Sequence, residues 1–348
     1  MYVVIRAGGV GTRLWPISRN RKPKQLHALT SSKTMLQEAI ERVLDVVPLE
    51  HIYVSCNSAT EPVVRTELGA VLEHNLIIEP ALRDTAAAVG LETIMIAKDH
   101  PEAIIASLGS DHSIKDNLEF QRILQVAEQA IIAHPDHILC IGIPPTHADT
   151  GFGYIELDDL ITPEVYNVMS FKEKPTEVKA REFVRAGNYL WNANMFVWRA
   201  DTLLKLYEQY LPDMYELLVQ IQEHPDQLNT IYPKLKKIAI DYAIIEKTNK
   251  ILAVPGKFGW NDIGDWARLK DELVPTEIQN YSKGNHTDIG SQNTLVFSET
   301  DRLIATIDTH DLVIVDTPDA LLVCNKYSSQ KVKDLVEQLK TNKQDHLL

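Results

Sequence analysis

Apolar positions along the chain follow two alternating periods. Residues 2–5 form a short β-branched run that stops at Ala7-Gly8-Gly9, and Met35, Leu36, Ala39, Ile40, Val43, Leu44 and Val47 then recur at helical spacing. The pattern predicts strand, glycine loop, helix. It continues with strands near 51–55, 76–78, 103–108 and 137–142 and helices near 85–98 and 118–134, with Asp84 placed to cap the first of these helices. Strands separated by helices require right-handed crossovers, which predicts an α/β domain with a mostly parallel sheet covered on both faces. Ligands then belong at the carboxyl ends of the strands.

After Gly151 the pattern becomes mixed. Strand-like runs at 154–157, 165–172 and 195–199 precede helices from about 200 to 250, the expected shape of an insertion that closes over the sheet. Beyond Pro275 the chain is polar, and four short strand-like runs follow at 294–298, 303–307, 312–316 and 320–324, with a terminal amphipathic helix over 328–340. We therefore expect a catalytic domain over 1–280 and a small β domain with a terminal helix over 281–348.

Composition changes this picture little. Hydrophobic residues at 45% and charged residues at 24% belong to a folded chain rather than a disordered one. No apolar run reaches the length of a membrane span, and residues 1–5 lack the features of a signal peptide, so the expectation is a cytoplasmic protein with no membrane partner. Cys56, Cys140 and Cys324 are far apart and form no zinc-like pair, which predicts reduced thiols. A net charge of −13 argues against nucleic acid as a partner. Residues 1–37 depart from that average: they contain no Asp or Glu but hold Arg6, Arg13, Arg19, Arg21, Lys22, Lys24 and Lys33. Such a segment is either a local anion site or a solvated face.

The glycine loop decides between them. Gly8-Gly9-Val10-Gly11-Thr12-Arg13-Leu14-Trp15-Pro16 follows a strand directly and precedes Pro23-Lys24-Gln25. Glycines let a backbone approach a triphosphate closely, and Arg13 and Lys24 are cations for its charge. The loop has neither the dinucleotide-fold register nor the P-loop register.

At these residues the chain resembles the sugar-nucleotide pyrophosphorylases, whose signature is a glycine loop of this form with a downstream Pro-Lys-Gln lysine. The resemblance extends through segments 79–86, 109–112, 150–155, 171–175, 191–196, 240–243 and 259–266, in family order over most of the chain. Within that family the set looks like the guanylyltransferases that act on mannose 1-phosphate, in a short form without an isomerase domain. Some positions differ from the usual pattern. Asp84 stands where Asn is usual, Ala87 and Gly109 where Pro is usual, Ala193-Asn194 where Ser-Gly is usual, and Arg6 where an apolar residue is usual.

The resemblance implies a Rossmann-like nucleotidyltransferase domain with a mostly parallel mixed sheet, acting on GTP and mannose 1-phosphate. It implies catalytic roles for Arg13 and Lys24, and nucleotide binding by Ala7, Gly8, Gly9, Gly11, Thr12, Glu79, Pro80, Arg83, Thr85 and Ser110. The sugar phosphate would be held by Gly151, Glu173, Lys174 and Asn192, and Mg²⁺ by Asp111 and Asp262. Hard carboxylate oxygens suit that ion. His112 reads as structural, because the attacking phosphate oxygen is already ionised at neutral pH. Asp241, Glu246 and Asp265 remain open between a site role and a solvated or hydrogen-bonding one, and Trp191, Trp198 and Trp266 read as packing, with Trp260 able to border the site. A homodimer is expected. The alternatives are a thymidylyl- or uridylyltransferase acting on glucose 1-phosphate, and a silent homologue that only senses sugar nucleotides.

Overall fold

The computed structural model describes residues 1–69, 75–172, 174–274, 276 and 278–348. Its first part is the alternation read from the sequence, with α2 and β5 as elements the sequence reading did not include: β1 (Tyr2–Arg6), α1 (Met35–Leu44), β2 (Ile52–Asn57), α2 (Glu61–Leu68), β3 (Leu76–Glu79), α3 (Asp84–Ala97), β4 (Ile104–Gly109), the two-residue β5 (Ser113–Ile114), α4 (Asn117–Ala133) and β6 (Ile138–Ile143). A capping box starts α1. The Thr34 hydroxyl accepts from the Gln37 amide at 3.2 Å and the Gln37 side chain accepts from the Thr34 amide at 3.1 Å.

The middle part holds β7 (Tyr154–Thr162), β8 (Val165–Lys172), α5 (Glu177–Ala186), β9 (Tyr189–Arg199), α6 (Ala200–Tyr210), α7 (Pro212–Glu223), α8 (Leu228–Ile231), β10 (Ile251–Pro255), β11 (Trp260–Asn261) and α9 (Trp266–Leu273). One sheet has the order β3-β2-β1-β4-β9-β6-β10-β8-β7. Strands β1 to β4 are parallel, as are β6 and β10, while β9 runs antiparallel between β4 and β6. Thus the chain that leaves β6 returns through the β7–β8 hairpin and inserts β9 into the middle of the sheet.

Side-chain alternation on the strands builds a core on each face. Val3 and Ile5 pack with Leu36 and Val43 of α1 and Phe120 and Leu124 of α4. Val4 and Ile105 face the other way, against Leu91 and Ile94 of α3, Leu203 of α6 and Leu218 of α7.

The C-terminal unit contains β12 (Tyr281–Lys283), β13 (His286–Ile289), β14 (Leu295–Ser298), β15 (Ile304–Ile307), β16 (Leu312–Asp316), β17 (Leu321–Asn325) and α10 (Val332–Thr341). Strands β12, β14 and β16 stack in parallel, with β13 and β15 stacked beside them as a second sheet, and β17 turns back along β16. Its interior is continuous with the glycine-loop segment. Leu14, Trp15, Ile17, Met35, Trp266 and Leu269 share a third core with Leu295, Phe297, Val313, Val315, Val332 and Val336. Among the described residues no helix is long and apolar enough to cross a membrane. The three cysteines are free; Cys56 and Cys140 are buried.

Candidate active site

A cavity of about 530 Å³ opens where the parallel strands end. Gly8, Gly9, Val10 and Arg13 reach it from the loop after β1, and Glu79, Arg83 and Thr85 from the end of β3 and the start of α3. Ser110 and Asp111 follow β4, Gly151 precedes β7, Asn192 lies on β9, and Asp262 and Gly264 follow β11. Residues far apart in sequence converge here because the sheet ends bring their loops together.

The loop is tied down by side chains rather than by regular structure. Gln25 Nε2 donates to the carbonyls of Ala7 at 2.6 Å and Gly9 at 3.0 Å, and Ser18 Oγ donates to Val10 O at 2.7 Å. Gly11 turns the chain at φ 63°, where a side chain would press on the Lys24 stem.

Lys24 is the charge at the centre. Its ammonium lies 2.9 Å from Asp111 Oδ2 and donates to the main-chain oxygens of Asp262 at 2.8 Å and Ile263 at 3.4 Å. It therefore joins the end of β4 to the turn that carries Asp262. The pocket environment of Asp111 works against its ionisation, but Lys24 overrides this and holds the carboxyl down to about 2. His112 is pushed down to about 4, chiefly by burial, with Lys24 adding to the effect and Asp111 opposing it, so the ring is neutral at pH 7. It packs edge-on against Trp260 at 5.4 Å. Gly109 makes room for it, since a Cβ there would stand 2.7 Å from His112 Cε1.

Asp262 is held by Arg268, whose Nη1 donates to its Oδ1 at 2.6 Å while Nη2 donates to Asp149 Oδ2 at 2.8 Å. Asp149 Oδ1 in turn accepts from the Gly151 amide at 2.6 Å, and the Arg268 guanidinium sits 4.5 Å from the Phe152 ring centre. One arginine thus ties the Asp262 turn to the Gly151 loop. Asp265 serves a helix instead, its Oδ1 capping α9 by accepting from Ala267 at 2.8 Å and Arg268 at 3.1 Å.

Not every expected residue reaches the cavity. Ala7 is buried, with its amide donating to Ser55 O at 2.6 Å and its carbonyl accepting from Gln25. Gly11, Thr12, Pro80 and Lys174 do not line the cavity, and Glu173 lies outside the described residues. Asp84 does not cap α3 as expected. It takes φ 68° at the helix start, and its carboxylate accepts from the adjacent Thr85 amide. Thr85 Oγ1 accepts from Ile240 N, and Ser110 Oγ donates to Arg6 O at 2.7 Å. Asn192 donates to Asp241 Oδ1 at 2.8 Å and accepts from the Asn194 amide at 3.0 Å, which gives Asp241 a place behind the cavity wall. Trp260 borders the cavity; Trp191, Trp198 and Trp266 are buried packing.

Sequence reading missed Arg268, Asp149 and Lys237, and left Arg6 without a role. Arg6 lines the cavity floor, donating to Ser107 Oγ and to Asn194 O at 2.8 Å. Behind it Glu92 is fully buried and accepts from Ser107 at 3.0 Å; burial raises its carboxyl to about 7, and Arg6 only partly offsets this. Glu79 accepts from the Tyr232 hydroxyl at 2.7 Å. An arginine ending an otherwise apolar strand was the one local signal of this buried polar layer.

Residues 2–276 match the nucleotidyl transferase family, and residues 284–339 match the MannoseP isomerase/GMP-like beta-helix domain. The chain is 35% identical to the alginate biosynthesis protein AlgA of Pseudomonas aeruginosa over 350 residues, covering 97% of this chain and 72% of that protein. It is 35% identical to the mannose-1-phosphate guanylyltransferase RfbM of Salmonella typhimurium over 351 residues, with the same two coverages. Among solved structures it is similar to a Thermus thermophilus protein described as mannose-1-phosphate geranyltransferase, with a TM-score of 0.89, 31% identity, and coverage of 97% of this chain and 99% of that one.

Proposed function

The chain belongs to the nucleotidyl transferase family, among its mannose-1-phosphate guanylyltransferases, and on that premise we propose that it joins mannose 1-phosphate to the α-phosphate of GTP, giving GDP-mannose and pyrophosphate. The observation that carries this reading is a single cavity in which a glycine loop with Arg13, the Lys24–Asp111 pair, Asp262 and the Asn192 segment all meet. A pure nucleotide-binding module has no use for the Asn192 segment, the sugar side of this cavity.

In this reading the loop backbone and Arg13 hold the β- and γ-phosphates. Lys24 stands between them and Asp111, where it stabilises the charge that develops on the departing pyrophosphate. Asn192, fixed by Asp241 and the Asn194 amide, and the Gly151 loop, fixed by Asp149, orient the sugar phosphate. Its oxygen attacks the α-phosphorus as the bond to the β-phosphate oxygen breaks. The attacking oxygen has no proton to lose, so neutral His112 is not needed as a general base.

Asp111 and Asp262 would hold Mg²⁺. Support comes from the donor set: two carboxylates in one cavity, the first kept ionised by Lys24, offer the hard oxygens that this ion prefers. When bound, Mg²⁺ would reduce the repulsion between the two reacting phosphates. The same reading divides the chain at about residue 280 and makes it a homodimer. Exposed Ile289, Ile307, Leu303 and Leu321 in the C-terminal unit support the dimer, and sedimentation tests it.

Direct displacement is tested by exchange of labelled pyrophosphate into GTP. Exchange is expected only when mannose 1-phosphate or GDP-mannose is present. Exchange with GTP alone would reveal a covalent nucleotidyl-enzyme and overturn the mechanism.

A further inference from the structure

A side chain of the C-terminal unit reaches the cation of the glycine loop. Gln330, in the turn of Lys326–Lys331 before α10, lies between Asp265 and Arg13. Its Nε2 donates to Asp265 Oδ2, and its Oε1 accepts from Arg13 Nη1 at 3.1 Å. Chemistry fixes which way round this amide stands: a carboxylate takes only donors and a guanidinium gives only donors. Asp265 is buried, and its other oxygen is held by two α9 amides and by Ser329 Oγ at 3.1 Å. The carboxylate cannot swing without uncapping α9, three residues past Asp262. Asp265 therefore orients Gln330, and Gln330 presents one fixed acceptor to Arg13.

We propose that Gln330 is a positioning residue for Arg13, so that the C-terminal unit sets the geometry of the phosphate loop. The inference rests on the role given above to Arg13. Arg13 sits beyond the left-handed turn at Gly11, in a three-residue turn with no side-chain cap, and among the described residues Gln330 is the hydrogen-bond acceptor its guanidinium has. An arginine so placed otherwise samples many rotamers, and that entropy is lost on every turnover. A fixed acceptor that does not itself line the cavity removes part of this cost before the triphosphate arrives. Since Arg13 acts on the phosphates that leave, the benefit belongs to the transition state more than to ground-state binding.

The test is a double-mutant cycle. Gln330→Ala, at an exposed position, should fold normally and lower kcat about tenfold, the low end for a charge-assisted hydrogen bond, with KM for GTP within about threefold. In an Arg13→Ala background the same change should have no further effect. Gln330→Glu keeps the length but puts a second carboxylate against Asp265, and should be impaired at least as much as the alanine variant. Ser329→Ala removes another bond to Asp265 without touching Arg13; it should lower the melting temperature but leave kcat unchanged. Native kcat in Gln330→Ala, or losses that multiply with Arg13→Ala, would overturn the proposal while leaving the Arg13 assignment intact. Native turnover in Arg13→Ala itself would sink both.

Discussion

Gly9→Ala separates the two things a glycine loop can be for. Gly9 is exposed at the cavity wall, its backbone is outside the left-handed region, and a methyl built on it meets nothing within 4 Å. The protein can accept alanine there without strain. Replacing glycine at such a site restricts the unfolded chain, so stability should hold or rise by about 0.4 to 1 kcal/mol. Activity should respond differently. If the loop backbone lies against phosphate oxygens, the methyl occupies the space they need, and losing the close approach should cost at least about 3 kcal/mol, roughly a hundredfold in kcat/KM. Gly11→Ala is the contrast: with φ 63° and a Cβ only 2.9 Å from Lys24 Cγ, it should lose both stability and activity. Thermal denaturation and pyrophosphate release on both variants give the comparison. A fully active Gly9→Ala would show that no ligand approaches this backbone, and a destabilised one would mean the loop adopts a different conformation.

Three further outcomes follow from the same structure. Asp111→Asn should fold but lose about a hundredfold in rate, because the charge that pairs with Lys24 and suits Mg²⁺ is gone; near-normal turnover would reject Asp111 as a metal ligand. Glu92 has a folded-state pKa of about 7 against a usual 4.5, so its contribution is full below the unfolded value and is lost as pH rises through about 7. Glu92→Gln should accordingly gain about 3 kcal/mol on the parent between pH 4 and pH 8, read from urea midpoints, and parallel profiles would refute the buried acid. Deleting 281–348 uncovers Leu14, Trp15, Trp266 and Leu269, each contributing about 1.5 to 3 kcal/mol when buried, and should abolish both stable folding and activity; a well-folded, fully active remainder would contradict the shared core.

The sequence was most legible where local chemistry dictates the answer. A β-branched run, a glycine loop with cations and no acids, and an amphipathic helix define β1, the loop that follows it and α1 without reference to the rest of the chain. The end of β4 likewise announced Asp111. Long-range partners were not legible. Only the last five residues of β9 read as strand, because Asn192 and Asn194 break the apolar pattern where the strand borders the cavity, and its insertion between β4 and β6 has no local signal. Strand β10 is a plain buried apolar run that periodicity alone does not distinguish from helix. Arg268 lies in an ordinary helical stretch, and its two carboxylate partners are 6 and 119 residues away. Asp84 looked like a cap by type and position, yet its left-handed backbone turns the carboxylate toward the neighbouring amide.

Which nucleotide and which sugar phosphate the cavity accepts is measured by a panel of pyrophosphate-release assays with Mg²⁺. GTP, dTTP and UTP are each offered with mannose 1-phosphate and with glucose 1-phosphate. A site built for guanine leaves buried polar groups unpaired when a pyrimidine enters, so GTP with mannose 1-phosphate should exceed every pyrimidine pair by at least about tenfold in kcat/KM. Glucose 1-phosphate, which differs at one carbon, should follow by a smaller margin. If dTTP or UTP with glucose 1-phosphate turns over fastest, the guanylyl assignment is wrong; if no pair releases pyrophosphate, nucleotidyl transfer itself is contradicted.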